Sequence, residues 1–113
     1  MRFGFHLFMV DPDQHLDIAR TADDCGWDSI QVADSPFFPE TISVPYPYTP
    51  DGTRFWPLDM PVLDPWVAIT AMAVVTRRIR FLPSVLRLAI RQPLLEAKSL
   101  CSVAAISNDR VAL

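Results

Sequence analysis

Apolar positions along this chain follow two alternating rhythms. Short unbroken runs, "RFGFHLF" at 2–8, "DSIQVAD" at 28–34 and "IRFLPSVL" at 79–86, have the length and β-branched or aromatic content of strands. Between them, apolar residues return every three or four positions, as on a helix. Leu16, Ile18, Ala19, Ala22 and Cys25 form one such stripe; "WVAITAMAVVTRR" and "LLEAKSLCSVAAI" are the others. The run at 2–8 reads as a strand buried on both faces. "RVAL" at 110–113 begins a fourth strand.

Local signals mark where the helices start and stop. Asp11 and Pro12 open the first, with Gln14 where a capping box closes, and Gly26 ends it. Asp64 and Pro65 repeat the start, and Arg77 and Arg78 complement the second helix's dipole. Pro93 opens the third. Pro83 removes a ladder donor, so the third strand ends irregularly. The predicted order is β-α-β-insertion-α-β-α-β. It implies parallel strands joined by right-handed crossovers in an α/β fold.

The insertion, residues 35–63, holds seven of the eleven prolines and half the aromatic residues. Such a segment between a strand and its helix is unusually long. Its aromatic content argues for an ordered, proline-stiffened excursion, either a binding wall or a structural and oligomer contact. The chain stops inside an apolar strand, so it reads as the N-terminal part of a larger fold. With nothing closing the sheet, Phe5, Ile30, Val32, Phe81 and Val111 are expected to be only partly covered, and the unpaired edge invites association.

Composition narrows the function. With 113 residues, half of them hydrophobic, and a net charge of −3, the chain is globular and too acidic for nucleic acid as a main partner. No apolar run reaches the roughly 18 residues of a membrane span, and the N-terminus lacks a signal-peptide pattern. Cys25 and Cys101 read as reduced, buried thiols of a cytoplasmic protein. There is no glycine-rich phosphate loop and no metal-ligand cluster.

In parallel α/β folds, ligands sit at the carboxyl ends of the strands. Asp34, leaving strand two, is either a base or cofactor contact, or a turn cap before Pro36. Ser35 and Ser84 bind a ligand or serve their loops. His6 is a core histidine or a ligand contact; His15 reads as surface. Arg87 and Arg91 clamp a phosphate or carboxylate, or form salt bridges in a solvated loop. Glu96 and Lys98 read as an exposed helix face.

Taken together, "ADDCGWDSIQVADSPF" and the run "SVLRL-x-x-R-x-P-x-x-x-A-K" from Ser84 to Lys98 resemble the bacterial luciferase-like monooxygenase superfamily. The resemblance covers almost the whole chain and is greatest to members that use coenzyme F420, with FMN users close behind. It implies the N-terminal part of a (β/α)8 TIM barrel. It also implies a flavin- or deazaflavin-dependent oxidoreductase that transfers a hydride to or from a small organic substrate, with the 113-residue chain alone expected to be inactive because half of the pocket is missing. The alternatives are a non-catalytic flavin-binding or interaction relative and an inert fragment. Ser84 and Val85 fall where the family carries a bulge, often with a non-proline cis peptide, beneath the ring. Asp34 and Ser35 fall on the deazaflavin enzymes' strand-two motif, with Ser35 where His is common. The implied cofactor-binding set is Asp34, Ser35, Ser84, Val85 and His6, with coenzyme F420 as cofactor and FMN as the alternative. A homo-oligomer, or association with the rest of the barrel, is expected.

Overall fold

The computed structural model describes all residues from Met1 to Leu113. Three parallel strands, β1 (Gly4–Leu7), β2 (Ser29–Val32) and β3 (Arg80–Pro83), lie in the order β1-β2-β3. The register pairs Leu7 with Val32 and Val32 with Pro83, so the three strands end level with one another. Helices α1 (His15–Asp24), α2 (Pro65–Val74) and α3 (Pro93–Ser107) connect and follow them.

The sheet buries one face. Leu7, Ile30, Val32 and Phe81 point at the helices and join Ala19, Ala22, Trp66, Ile69, Met72 and Val103 in one core. Ile30, Val32 and Phe81 are buried, contrary to the expectation of partial cover. The period-2 alternation of a strand sends them to the helix side. Phe5 and Val111 are half-buried as expected. The other face carries Gly4, His6 and Arg80, all exposed, so β1 is not buried on both faces.

Caps with local chemistry form as read. Asp64 Oδ1 accepts the Trp66 and Val67 N–H groups at 2.9 and 3.3 Å. Gly26 closes α1 at φ +80°, a left-handed conformation that costs glycine little. Pro93 opens α3, where the Gln92 side chain accepts from Leu95 N–H. At α1 the outcome differs. A short 3₁₀ turn, Pro12–Gln14, precedes the helix, and neither Asp11 nor Gln14 caps it with a side chain. The fourth strand is reduced to a single bridge between Val111 and Phe81. Residues 35–63 contain no helix or strand.

Two tertiary ties hold the base of the domain. Asp23, near the end of α1, is buried and accepts the N–H groups of Arg77, Arg78 and Ile79 at 2.8, 2.9 and 2.7 Å. Arg77 and Arg78 lie past the last turn of α2 and meet Asp23 there through their backbone N–H groups, and the Arg78 guanidinium also donates to the Asp23 carbonyl. Burial pushes the Asp23 carboxyl up, but these three donors and the Arg78 charge hold it below its ordinary value. Arg110 donates to the Ala73 and Ile79 carbonyls and to Thr76 Oγ1, fixing the chain beyond α3 to the end of α2.

Three further readings are corrected. His15 is buried, because the 3₁₀ turn rolls it inward, where Nε2 donates to the Val10 carbonyl at 3.2 Å. Both cysteines are exposed: Cys25 caps the C-terminal end of α1 and Cys101 lies on the outside of α3. Glu96 is buried, for reasons that belong to the site.

Candidate functional site

Parallel pairing in level register brings the three strand exits to one end of the sheet. His6 and Ser84 meet there, although 78 residues separate them. His6 Nε2 lies 3.0 Å from the Ser84 carbonyl oxygen. A carbonyl only accepts, so Nε2 carries a proton and donates it to Ser84. The Ser84 N–H donates to the Val32 carbonyl at 2.8 Å, continuing the β2–β3 ladder one residue past the strand. The Ser84–Val85 peptide is cis, and the Val85 side chain beside it is 79% exposed.

Asp34 and Ser35 form a second group with the arginines. The Asp34 side chain is 3% exposed. Its Oδ2 accepts the Arg87 N–H at 2.9 Å and Arg91 Nε at 3.2 Å, and its Oδ1 accepts Arg91 Nη2 at 2.8 Å. Burial pushes this carboxyl up, yet the Arg91 hydrogen bonds, the Arg87 N–H and both guanidinium charges hold it below its ordinary value. Arg87 reaches back to Ser35 Oγ at 3.4 Å.

Arg91 is the hub of a wider clasp. It also meets Asp64 Oδ2 at 3.3 Å and Glu96 Oε2 at 3.1 Å. The other Glu96 oxygen accepts the Trp66 indole N–H at 2.6 Å. One cation thus joins the end of β2 to the N-termini of α2 and α3. Its pKa is raised, first by the Asp34 hydrogen bonds and then by the surrounding carboxylates, against the effect of burial. Arg91 clamps the protein's own carboxylates, and Glu96 is part of the clasp rather than an exposed helix face. Nothing in the local sequence signals these partners.

A cleft of about 350 Å³ opens between the strand exits and the insertion. Trp56 anchors its wall. Phe8, Phe38, Tyr46 and Phe55 surround that indole at centroid distances of 4.9 to 6.2 Å, in tilted or edge-on geometry. Such pairs each add roughly 0.5–1.5 kcal/mol beyond area burial. Arg54 donates to the Pro39 and Glu40 carbonyls, closing the loop on itself. Ser35 and Arg87 line the cleft from the strand side. The sequence singled out the insertion as a whole, but not Arg54 or Trp56.

A sequence profile described as luciferase-like monooxygenase matches residues 3–113. The chain belongs to this family. Luciferase-like relatives with solved structures share its parallel architecture. The oxygenating constituent of 3,6-diketocamphane monooxygenase from Pseudomonas putida, solved with FMN, superposes with a TM-score of 0.74 at 20% identity, covering 100% of this chain and 28% of that one. The coenzyme F420-dependent tetrahydromethanopterin reductase of Methanopyrus kandleri gives 0.68 at 20% identity, covering 97% and 25%. An uncharacterised Mycobacterium tuberculosis protein is 38% identical over 113 residues. This luciferase-like chain spans 39% of that relative's length. Its sheet and helices are the N-terminal βα units of the luciferase-like (β/α)8 barrel. No helix is long and apolar enough to cross a membrane.

Proposed function

We propose that this chain is the cofactor-facing part of a flavin- or deazaflavin-dependent oxidoreductase acting on a small organic substrate. Coenzyme F420 is the favoured cofactor and FMN the alternative. The observation that carries the reading is the junction of His6 and Ser84 at the strand exits of a luciferase-like sheet, beside the exposed Val85.

The residues fit a flat ring with a polar edge. Val85 offers an uncovered apolar surface, and His6 and Ser84, bonded to each other, offer hydrogen-bonding groups near it. Ser35 supplies a further hydroxyl. When bound, the cofactor supplies the hydride chemistry; the chain's own residues hold and orient it. His6 fixes the β1 and β3 exits relative to one another through Ser84. Asp34, with its oxygens committed to Arg91 and Arg87, acts from behind by setting the position of Ser35 and Arg87. The cleft beside Trp56 receives the substrate and excludes water from it.

Self-association accompanies this reading. α2 and α3 expose Val67, Val74, Leu94 and Leu95, each at 64% or more, a set of apolar residues that a second chain, or further units of the same barrel, would cover.

Fluorescence titration with FMN and with coenzyme F420 tests the proposal. Wild-type chain binds one of them, and Val85→Asp weakens that binding tenfold or more while leaving the far-UV spectrum unchanged. Equal binding by the variant, or none by the wild type, would overturn it.

A further inference from the structure

The cleft against Trp56 combines two properties that together specify a ligand. Its wall is aromatic, and its only charged groups are cationic. Arg54 and Arg87 both line it, and no carboxylate does. Neither guanidinium forms an ion pair, although the chain carries more acids than bases and Asp34 lies near enough to feel the Arg87 charge.

Arg54 is preorganised. Nη1 and Nη2 each donate to a backbone carbonyl, of Pro39 and of Glu40. A guanidinium has five N–H donors, so three remain to Arg54. Arg87 has one side-chain contact, the 3.4 Å approach to Ser35 Oγ. It stands on the strand side of the cleft because its own N–H is held by Asp34. The Trp56 indole N–H is buried without a partner, so the aromatic cluster keeps one unspent donor.

We propose that this cleft binds a small planar aromatic carboxylate, its ring against the Trp56 cluster and its carboxylate between Arg54 and Arg87. The proposal rests on the oxidoreductase reading for its consequence, because it names the substrate class of that site. A cleft of about 350 Å³ lies at the small end of the roughly 300–1,000 Å³ that ligand pockets occupy, which suits one or two fused rings. Arginine recognises a planar carboxylate through paired N–H donors, a geometry that neither an alcohol nor an amide reproduces.

The test compares 2-naphthoate with 2-naphthamide, which share a ring system but differ in charge. Both are titrated against the 113-residue chain by calorimetry, with Trp fluorescence as a second readout. Wild type prefers the acid by about tenfold or more, as expected for a charge-assisted pair. Arg87→Gln reduces the preference to within about threefold by weakening the acid more than the amide; far-UV circular dichroism verifies the fold. Arg87 is chosen because its guanidinium supports no backbone carbonyl, whereas Arg54 does. Equal binding of acid and amide, or no binding of either, would overturn the proposal. FMN and coenzyme F420 are titrated in the same preparation. Cofactor binding without acid preference defeats this inference and leaves the oxidoreductase reading standing; acid preference without cofactor binding does the reverse.

Discussion

Arg91 grips Asp34 with a fork of two hydrogen bonds, Nε to Oδ2 at 3.2 Å and Nη2 to Oδ1 at 2.8 Å. The residues are 57 positions apart, and the pair is largely shielded from solvent, with side-chain exposures of 17% and 3%. It converts an acid at a strand exit into part of a frame. The same cation holds Asp64 and Glu96, so the starts of two helices depend on it.

Replacing Arg91 therefore strands buried carboxylates. Arg91→Met should destabilise the fold by about 3–5 kcal/mol, the usual cost of breaking a buried pair from one side. Arg91→Lys restores the charge but not the fork, and should recover only part of the loss. Urea unfolding of the three proteins measures both. A loss below about 1 kcal/mol for Arg91→Met would reduce the clasp to a surface ion pair.

Acid should loosen the same frame. The Asp34 and Asp23 carboxyls both lie below the ordinary value of 3.8 when folded. The folded chain binds their protons less readily than the unfolded chain does, so falling pH favours unfolding. Their contribution is whole above pH 3.8 and disappears as pH drops through the folded values. Thermal melts should fall steeply below that point for the wild type and less steeply for Asp34→Asn and Asp23→Asn. Parallel curves would contradict the assignment.

The turn at Gly52 controls the insertion. Its φ is +71°, and a Cβ there would lie 2.7 Å from Pro45 Cβ. Its carbonyl accepts the Tyr46 N–H at 2.7 Å, which sets Tyr46 against Trp56. Gly52→Ala should cost about 1–2 kcal/mol from the left-handed backbone alone, and more from the clash. It should also red-shift Trp fluorescence as the cluster opens. An unchanged emission maximum would show that the wall does not depend on this turn.

The limits of sequence reading follow the range of each interaction. The Asp64–Pro65 start, the Gly26 stop and the Pro93 start were legible because cap and helix are neighbours in the chain. The parallel order was legible from the alternation of rhythms. Asp23 was not, because an acid near a helix C-terminus opposes the dipole, and its reason lies 54 to 56 residues away at Arg77, Arg78 and Ile79. Glu96 looked like an ordinary exposed first-turn acid until Trp66 and Arg91 closed over it. The strand-exit positions of His6, Asp34 and Ser84 were readable from the fold class. That Arg54 and Trp56 line one cleft was not, since an insertion without helix or strand has no periodicity to reveal which side chains share a wall.

Association should follow from the outer helix faces. Val74 and Leu95 are 66% and 68% exposed. Light scattering at micromolar concentration should give a mass above that of the 12.8 kDa monomer. A Val74→Glu, Leu95→Glu double variant should shift the mass toward the monomer. A wild-type monomer at all concentrations would remove these faces from consideration as contacts.

The central claim, that the strand exits hold a flavin-type cofactor, is tested most directly by adding FMN and coenzyme F420 separately to the purified chain. The visible spectrum is recorded, and the retained compound is identified by mass spectrometry after gel filtration. The account predicts that one cofactor is retained with a perturbed spectrum, and that Val85→Asp releases it while the fold persists. Passage of both cofactors through the column unbound, from a chain whose circular dichroism reports a folded α/β domain, would contradict it.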